Sequence, residues 1–207
     1  MCSVRSPTPE PGWRPRADAT SSADVGNLAD VDPLASIDPQ WRGHAVLLVP
    51  VPELEPFARE RTRFYDRSFL SDDPRFFQAH ITVLAPFMAV PERSRIAPIV
   101  DALHPFDFEL SQLGVFPDGL IHLRPEPDAP LRDAIGRAVE AFPEVRGYGH
   151  PAPVPHLSLD RLSPQVSVQS TRALLGKLVP AHCRADRIQL CWYESDHCRV
   201  LDEWELR

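Results

Sequence analysis

Two segments of the chain carry a histidine followed two positions later by a hydroxyl residue, each within an otherwise apolar run. The first is HITV, with His80 and Thr82, and the second is HLSL, with His156 and Ser158. Successive side chains of a β-strand point to opposite faces, so each histidine shares a face with its hydroxyl partner. One such pair is unremarkable on a strand with a solvated face. Two copies of the pattern predict a shared site.

Residues of these four types suit displacement at a phosphodiester. Two imidazoles near neutral pH can hold opposite protonation states, so that one accepts a proton from the attacking oxygen while the other protonates the leaving oxygen. Two hydroxyls can donate hydrogen bonds to the non-bridging phosphate oxygens and stabilise the charge that builds there. This chemistry does not require a metal ion.

The two motifs occupy equivalent places in a repeated order of sequence features. The segment LIHLRPEP starts at residue 120, 74 residues after VLLVPVPE at 46, and His156 lies 76 residues after His80. The segment that starts TRALLGKL at 171 likewise follows RIAPIVDA at 95 by 76 residues. Such near-constant offsets indicate an internal duplication of a β-α-β-α-β unit. Two units related by a pseudo-twofold axis would bring all four side chains into one cleft.

The chain divides into a leader and one domain. Residues 1–40 are rich in Pro, Ser, Ala and Asp and lack a periodic apolar pattern, which predicts a disordered leader. Residues 41–207 should form a single domain, with lobes made from the two repeats at about 43–118 and 119–207. The apolar residues that alternate with the motif residues along each strand should pack beneath helices on the outside of these lobes.

The charge of the chain limits its partners. Formal net charge is −7 over 207 residues. An acidic protein is poorly suited to binding long nucleic acids by phosphate neutralisation. A small nucleotide or an RNA end remains compatible with this charge, and we expect a monomer.

The cysteines and the hydropathy predict a cytoplasmic protein. The four cysteines form no C-x-x-C pair and no Cys/His spacing typical of zinc, and no secretory segment is evident. We therefore expect reduced thiols. No apolar run approaches the roughly twenty residues that span a bilayer, so we expect a soluble protein without membrane contact.

Together these segments resemble the two-histidine (2H) phosphoesterases. The similarity includes HITV and HLSL, the APF after the first motif, VFPDGLIHLRPEP, the FPE...Y stretch at 142–148 and the VPHLSL approach to the second motif. It covers about residues 43–207 and is greatest to the bacterial branch described as 2'-5' RNA ligase-like or cyclic phosphodiesterase proteins. The features that make the resemblance specific are the doubled motif and the order of the segments around it.

The resemblance implies a bilobal α+β fold with two antiparallel sheets around a central cleft. It implies metal-independent activity, without a cofactor, on 2',3'-cyclic phosphates, 2'-5' linkages or related bonds of nucleotides or RNA ends. By this resemblance His80 and His156 are catalytic, and Thr82 and Ser158 bind the substrate phosphate. Ser158 stands where threonine is commoner in the family, a change that keeps the hydroxyl.

Two other functions are compatible with the pattern. One is a catalytically idle module that binds RNA ends or nucleotides, although binding alone needs no acid–base pair. The other is a metal hydrolase that uses both histidines, but few carboxylates adjoin the motifs. Activity that survives a chelator would separate the phosphoesterase from the metal hydrolase.

Four residues near the motifs leave alternatives open. By strand alternation Asp160 shares a face with His156, at the end of the strand. His122 either faces the cleft or, as we favour, is a solvated strand residue. Arg61 lies on the apolar side of a predicted helix and is directed either inward or along the surface. Phe116 either stacks on a base or packs in the core, and we favour the core.

Overall fold

The structure is a computed structural model that describes residues 43–145 and 153–207. The predicted leader, residues 1–40, lies outside the described residues. Tyr148, the last residue of the FPE...Y stretch, also lies outside them.

The described chain contains four α-helices and eight β-strands. In chain order these are β1 (Gly43–Pro50), α1 (Glu55–Asp66), β2 (His80–Phe87), α2 (Arg93–Asp101), β3 (Phe106–Val115), β4 (Leu120–Glu126), α3 (Ala129–Ala141), β5 (Leu157–Arg161), α4 (Val168–Leu175), β6 (Ala181–Ala185), β7 (Arg187–Glu194) and β8 (Arg199–Glu205). Short 3-10 turns occupy Pro52–Leu54, Arg67–Phe69 and Gly176–Leu178. The order β-α-β-α-β occurs twice and is followed by β7 and β8.

All strand pairs are antiparallel, and the eight strands form one sheet in the order β6-β3-β4-β5-β2-β1-β7-β8. The resemblance to the 2H phosphoesterases implied two antiparallel sheets, whereas the described residues form one. The physical reason is that the two motif strands, β2 and β5, pair with each other where Ile81 lies opposite Leu157. This pairing joins two four-stranded halves into an α+β fold with a continuous antiparallel sheet.

Each half of the sheet takes strands from both predicted segments. β3, from segment 43–118, pairs with β4 and β6, and β7, from segment 119–207, pairs with β1 and β8. The centre of the sheet is therefore formed by β5 and β2, with β4 and β1 outside them. The motif strands occupy the most protected position in the sheet.

The main core forms where all four helices cover one face of the sheet. Helix α3 shows how the sequence creates it, because Leu131, Ala134, Ile135 and Ala138 recur at helical spacing and are all buried. The strands contribute the apolar residues next to the motif residues, including Ile81 and Leu157, which are fully buried in the same cluster. The face that carries the motif side chains therefore points away from the helices.

A second, smaller core lies on the opposite face of β1. Leu48 is fully buried there and packs with Phe76, from the segment before β2, and with Cys191 and Cys198, which are free thiols. This cluster covers the half of the sheet that contains β1. No helix in the described ranges is both long enough and apolar enough to cross a membrane.

Candidate active site

The pairing of β2 with β5 brings the four motif residues together. Because Ile81 lies opposite Leu157 in an antiparallel pair, His80 lies opposite Ser158 and Thr82 lies opposite His156. Directly opposite residues have Cβ atoms about 5 Å apart and point to the same face. The two histidines therefore lie on one diagonal of a square and the two hydroxyls on the other.

The solvent exposure of these side chains suits a substrate site. His80, Thr82 and His156 are half-buried, and Ser158 is exposed. Their strand neighbours Ile81 and Leu157 are fully buried on the other face. The backbone is thus fixed by the core, while the polar side chains remain accessible.

Both histidine rings are held in the same way by backbone carbonyls. The Nδ1 of His80 lies 2.8 Å from the carbonyl oxygen of Gln78, and the Nδ1 of His156 lies 2.7 Å from that of Val154. A carbonyl oxygen can only accept, so each Nδ1 carries the proton that it donates. In the neutral ring Nε2 then bears the lone pair and serves as the proton acceptor.

Tyr193 is a neighbour of His80 that the sequence analysis missed. Its hydroxyl oxygen lies 3.2 Å from the Nδ1 of His80, and the two ring centroids are 5.7 Å apart. The phenol also packs against Phe76 and stacks on His44. Tyr193 reaches the site from β7 across β1, which lies between β2 and β7 in the sheet, and no local sequence motif indicates that placement.

Burial keeps His80 neutral. Desolvation, with a smaller contribution from positive charge on His156, lowers the pKa of His80 to about 4 against the opposing effect of the Gln78 carbonyl. His44, on the far side of Tyr193, also has its pKa lowered to about 4 by burial. A neutral His80 at pH 7 is suited to accept a proton.

His122 is buried, not solvated as we had favoured. His122 lies in β4, opposite Ser158 of β5, and its ring stacks on Phe116 with centroids 3.9 Å apart. It also meets His156 edge-on at 5.6 Å, and burial lowers the pKa of His122. Its Nε2 is buried without a hydrogen-bond partner in the described residues. Gly114 leaves the space for this ring, because a Cβ at that position would lie only 2.6 Å from Nε2 of His122.

Phe116 packs against His122 and His156 and lies outside both described core clusters, which corrects the expectation that it packs in the core. Its ring meets His156 at 4.9 Å and nearly at right angles, while it stacks on His122. His156 is therefore bordered by two aromatic rings. His80 has a phenol as its corresponding neighbour, so the surroundings of the two motifs differ.

Asp160 lies on the helix side of β5, although strand alternation had predicted the face of His156. The pairing of β4 with β5 shifts between Ile121 and His122, because Ile121 lies opposite Asp160 and His122 lies opposite Ser158. This β-bulge adds one residue to β5 and turns the following side chain to the other face. The carboxylate is fully buried there.

Arg61 is directed inward to this carboxylate. Its Nε lies 2.6 Å and its Nη2 2.5 Å from Oδ1 of Asp160. The hydroxyl of Tyr65 donates to the same oxygen and the hydroxyl of Thr171 donates to Oδ2. This network joins α1 and α4 to the strand that carries the second motif.

The described residues contain no cluster of metal-binding character. Within residues 43–145 and 153–207, no group of three or more His, Cys, Asp or Glu side chains is arranged to hold a metal ion. The motif side chains can supply proton transfer by imidazole and hydrogen-bond donation by hydroxyl groups.

A family model described as the 2'-5' RNA ligase superfamily matches residues 50–197, which is more than half of the chain and includes both motifs. The chain belongs to the 2'-5' RNA ligase superfamily. This confirms the resemblance to the 2H phosphoesterases that the sequence indicated.

Solved structures of several proteins are similar to this chain at low sequence identity. LigT of E. coli, complexed with 3'-AMP, is 13% identical, with 80% of this chain and 98% of that chain covered and a TM-score of 0.49. The protein TT0787 of Thermus thermophilus is 19% identical, with 79% and 98% covered and a TM-score of 0.49. Comparison with curated protein sequences gives no match.

Proposed function

We propose that the protein is a metal-independent phosphoesterase that acts on 2',3'-cyclic phosphate or 2'-5' phosphodiester bonds of nucleotides or RNA ends. The observation that carries the proposal is the pairing of Ile81 with Leu157, which sets two histidines and two hydroxyls on one accessible face. A phosphate placed over this square would be in reach of all four side chains.

In the proposed reaction His80 is the general base. A water oxygen attacks phosphorus and forms the new P–O bond, while Nε2 of His80 takes the proton of that water. The neutral state of His80 and the anchoring of its Nδ1 by the Gln78 carbonyl support this role. The bond from phosphorus to a ribose oxygen then breaks.

His156 is the general acid of the same step. In its imidazolium form it donates the Nε2 proton to the departing ribose oxygen, which leaves a phosphomonoester and a free hydroxyl. The carbonyl of Val154 anchors Nδ1 and directs Nε2 toward the open face. Thr82 and Ser158 donate hydrogen bonds to the non-bridging oxygens, where negative charge accumulates.

The proposal is tested with a panel of substrates and a chelator. Purified protein is incubated with EDTA and with 2',3'-cyclic nucleotides, 2'-5' dinucleotides, 3'-5' dinucleotides and RNA that ends in a cyclic phosphate. We expect hydrolysis of cyclic phosphates or 2'-5' linkages and resistance of the 3'-5' dinucleotides. Chromatography of the products identifies which bond is opened.

Matched variants connect any activity to the site. His80→Ala and His156→Ala should abolish most of the hydrolysis, while His182→Ala should not, because His182 is exposed on β6 beside Glu109. Tight binding of the panel without turnover would support the idle binding module instead. Activity that EDTA removes and a divalent cation restores would support a metal hydrolase.

A further inference from the structure

Arg124 lies beside the square of motif residues, on the same face of the sheet. In the pairing of β4 with β5, His122 lies opposite Ser158 and Leu123 lies opposite Leu157. The next residue of β4, Arg124, therefore lies opposite His156. His156 thus has Thr82 as its neighbour on β2 and an arginine as its neighbour on β4.

No described residue neutralises the charge of Arg124. Its side chain is exposed, and it makes no hydrogen bond or ion pair with the residues of 43–145 and 153–207. Other arginines of this half of the sheet have acidic partners: Arg161 pairs with Asp118 and Arg184 with Asp107. Arg124 is therefore available to an anion from solution.

The direction of the side chain determines which anion it can reach. The Nε of Arg124 lies 3.4 Å from the position of a Cβ at Gly114, so the side chain leans over β3 and away from β5. Neighbouring strands are about 4.8 Å apart, and β3 lies two and a half strand spacings from the middle of the β5–β2 pair, which puts the guanidinium roughly 12 Å from a phosphate held there. That distance is too long for contact with the reacting phosphate.

We propose that Arg124 forms a second phosphate subsite, which favours substrates that carry another phosphate next to the reacting one. The guanidinium binds phosphate through two parallel hydrogen bonds and stays charged at all physiological pH values. The preferred substrate is then the end of an RNA strand and not a mononucleotide. This inference rests on the proposed function, since it assigns a substrate class to the same site.

The surroundings of Arg124 favour a single bound phosphate over a long RNA track. The chain as a whole is acidic, with a net charge of −7. Farther along the same strand pair, Glu109 lies opposite Glu126, so the cationic surface ends within two residues of Arg124. Such a surface would bind one phosphate beyond the reacting group and repel a longer polyanion.

The test compares two substrates that share the reacting group. Adenosine 2',3'-cyclic phosphate has one phosphate, and the dinucleotide ApA with a terminal 2',3'-cyclic phosphate has two. For Arg124→Gln, we expect the ratio of kcat/KM for the dinucleotide to that for the mononucleotide to fall about tenfold or more, the usual effect of losing a charged hydrogen bond. The matched control Arg184→Gln should leave this ratio unchanged.

Two further measurements exclude an indirect effect. The slope of log kcat/KM for the dinucleotide against log salt concentration should become shallower by about 0.7 in Arg124→Gln, as expected for one lost contact with a single strand. Arg124→Lys should recover part of the ratio, because it restores the charge without the paired donors. Equal losses on both substrates, or no change in the ratio, would overturn the proposal.

Binding measurements separate this inference from the proposed function. If the wild-type protein hydrolyses both substrates and Arg124→Gln does not alter their ratio, the subsite is wrong and the function stands. If the wild type hydrolyses neither, the function is wrong, and titration with adenosine 3'-phosphate and ApA 3'-phosphate still tests the subsite. Arg124→Gln should then weaken binding of the dinucleotide about tenfold more than that of the mononucleotide, and equal weakening would refute the subsite.

Discussion

Replacing Asp160 by asparagine should destabilise the protein strongly. The carboxylate is fully buried and accepts from both the Nε and Nη2 of Arg61, from the hydroxyl of Tyr65 and from the hydroxyl of Thr171. Asparagine has nearly the same shape but keeps one acceptor oxygen and adds two donors. The guanidinium of Arg61, whose side chain is only 13% exposed, would lose its counter-charge.

The expected loss follows from the burial of this pair. Removing one partner of a buried ion pair costs about 3–5 kcal/mol, because the other charge is left uncompensated. For a domain of this size each kcal/mol lowers the Tm by about 2–4 °C. The Tm of Asp160→Asn should therefore fall by roughly 6–20 °C.

The control is an ion pair of the same chemistry on the surface. Arg137 and Asp133 are joined at 2.8 Å on α3, and both side chains are about half exposed. Asp133→Asn should cost less than about 1 kcal/mol, because water screens exposed pairs. Thermal and urea unfolding of both variants give the comparison, with the urea m-value checked for constancy.

A double variant tests the cause of the destabilisation. Adding Arg61→Met to Asp160→Asn removes the uncompensated charge and should restore part of the lost stability. The reasoning would be wrong if Asp160→Asn lowered the free energy of unfolding no more than Asp133→Asn does. It would also be wrong if Arg61→Met destabilised the Asp160→Asn variant as much as it destabilises the wild type.

Four further outcomes are expected. His80→Ala and His156→Ala should each lower kcat by about 10² to 10⁴, with circular dichroism spectra unchanged. Thr82→Val and Ser158→Ala should raise KM and lower kcat while the shape of the pH–rate profile stays the same; unaltered kinetics would reduce the site to a histidine pair. The acidic limb of kcat/KM should lie near pH 4 if His80 is the base, and a midpoint near 6.5 would contradict that role. Thermal melts should show stability decreasing from pH 6.5 to 4, because the unfolded chain protonates His80 first.

The motif faces could be predicted from the sequence because strand alternation is a local property. Each histidine and its hydroxyl are two residues apart, and the structure places each pair on one face with Ile81 and Leu157 buried beneath. The number of sheets is not a local property. It depends on whether β2 and β5 pair with each other, and nothing in either strand specifies its partner.

Local reasoning failed where the backbone departs from regular alternation or where distant strands supply a neighbour. Asp160 was assigned to the wrong face because a bulge is not visible in the pattern of apolar and polar residues. His122 is buried, contrary to the predicted solvated position, because Phe116, just after β3, covers its ring and Gly114 leaves space for it. Alternation along each strand therefore predicted the shared face of the motif residues better than it predicted the residues around them.

The surroundings are what distinguish two motifs that are nearly identical in sequence. Each histidine is anchored by a carbonyl two residues earlier, so the anchoring cannot assign one as base and the other as acid. The neighbours differ, because His80 meets the hydroxyl of Tyr193 while His156 meets the rings of Phe116 and His122. Burial lowers the pKa of His80, and a positive charge on His156 acts in the same direction, so a protonated His156 favours a neutral His80. If His80 is the base and His156 the acid, as we propose, the asymmetry of the proton transfer comes from neighbouring strands that contain no motif.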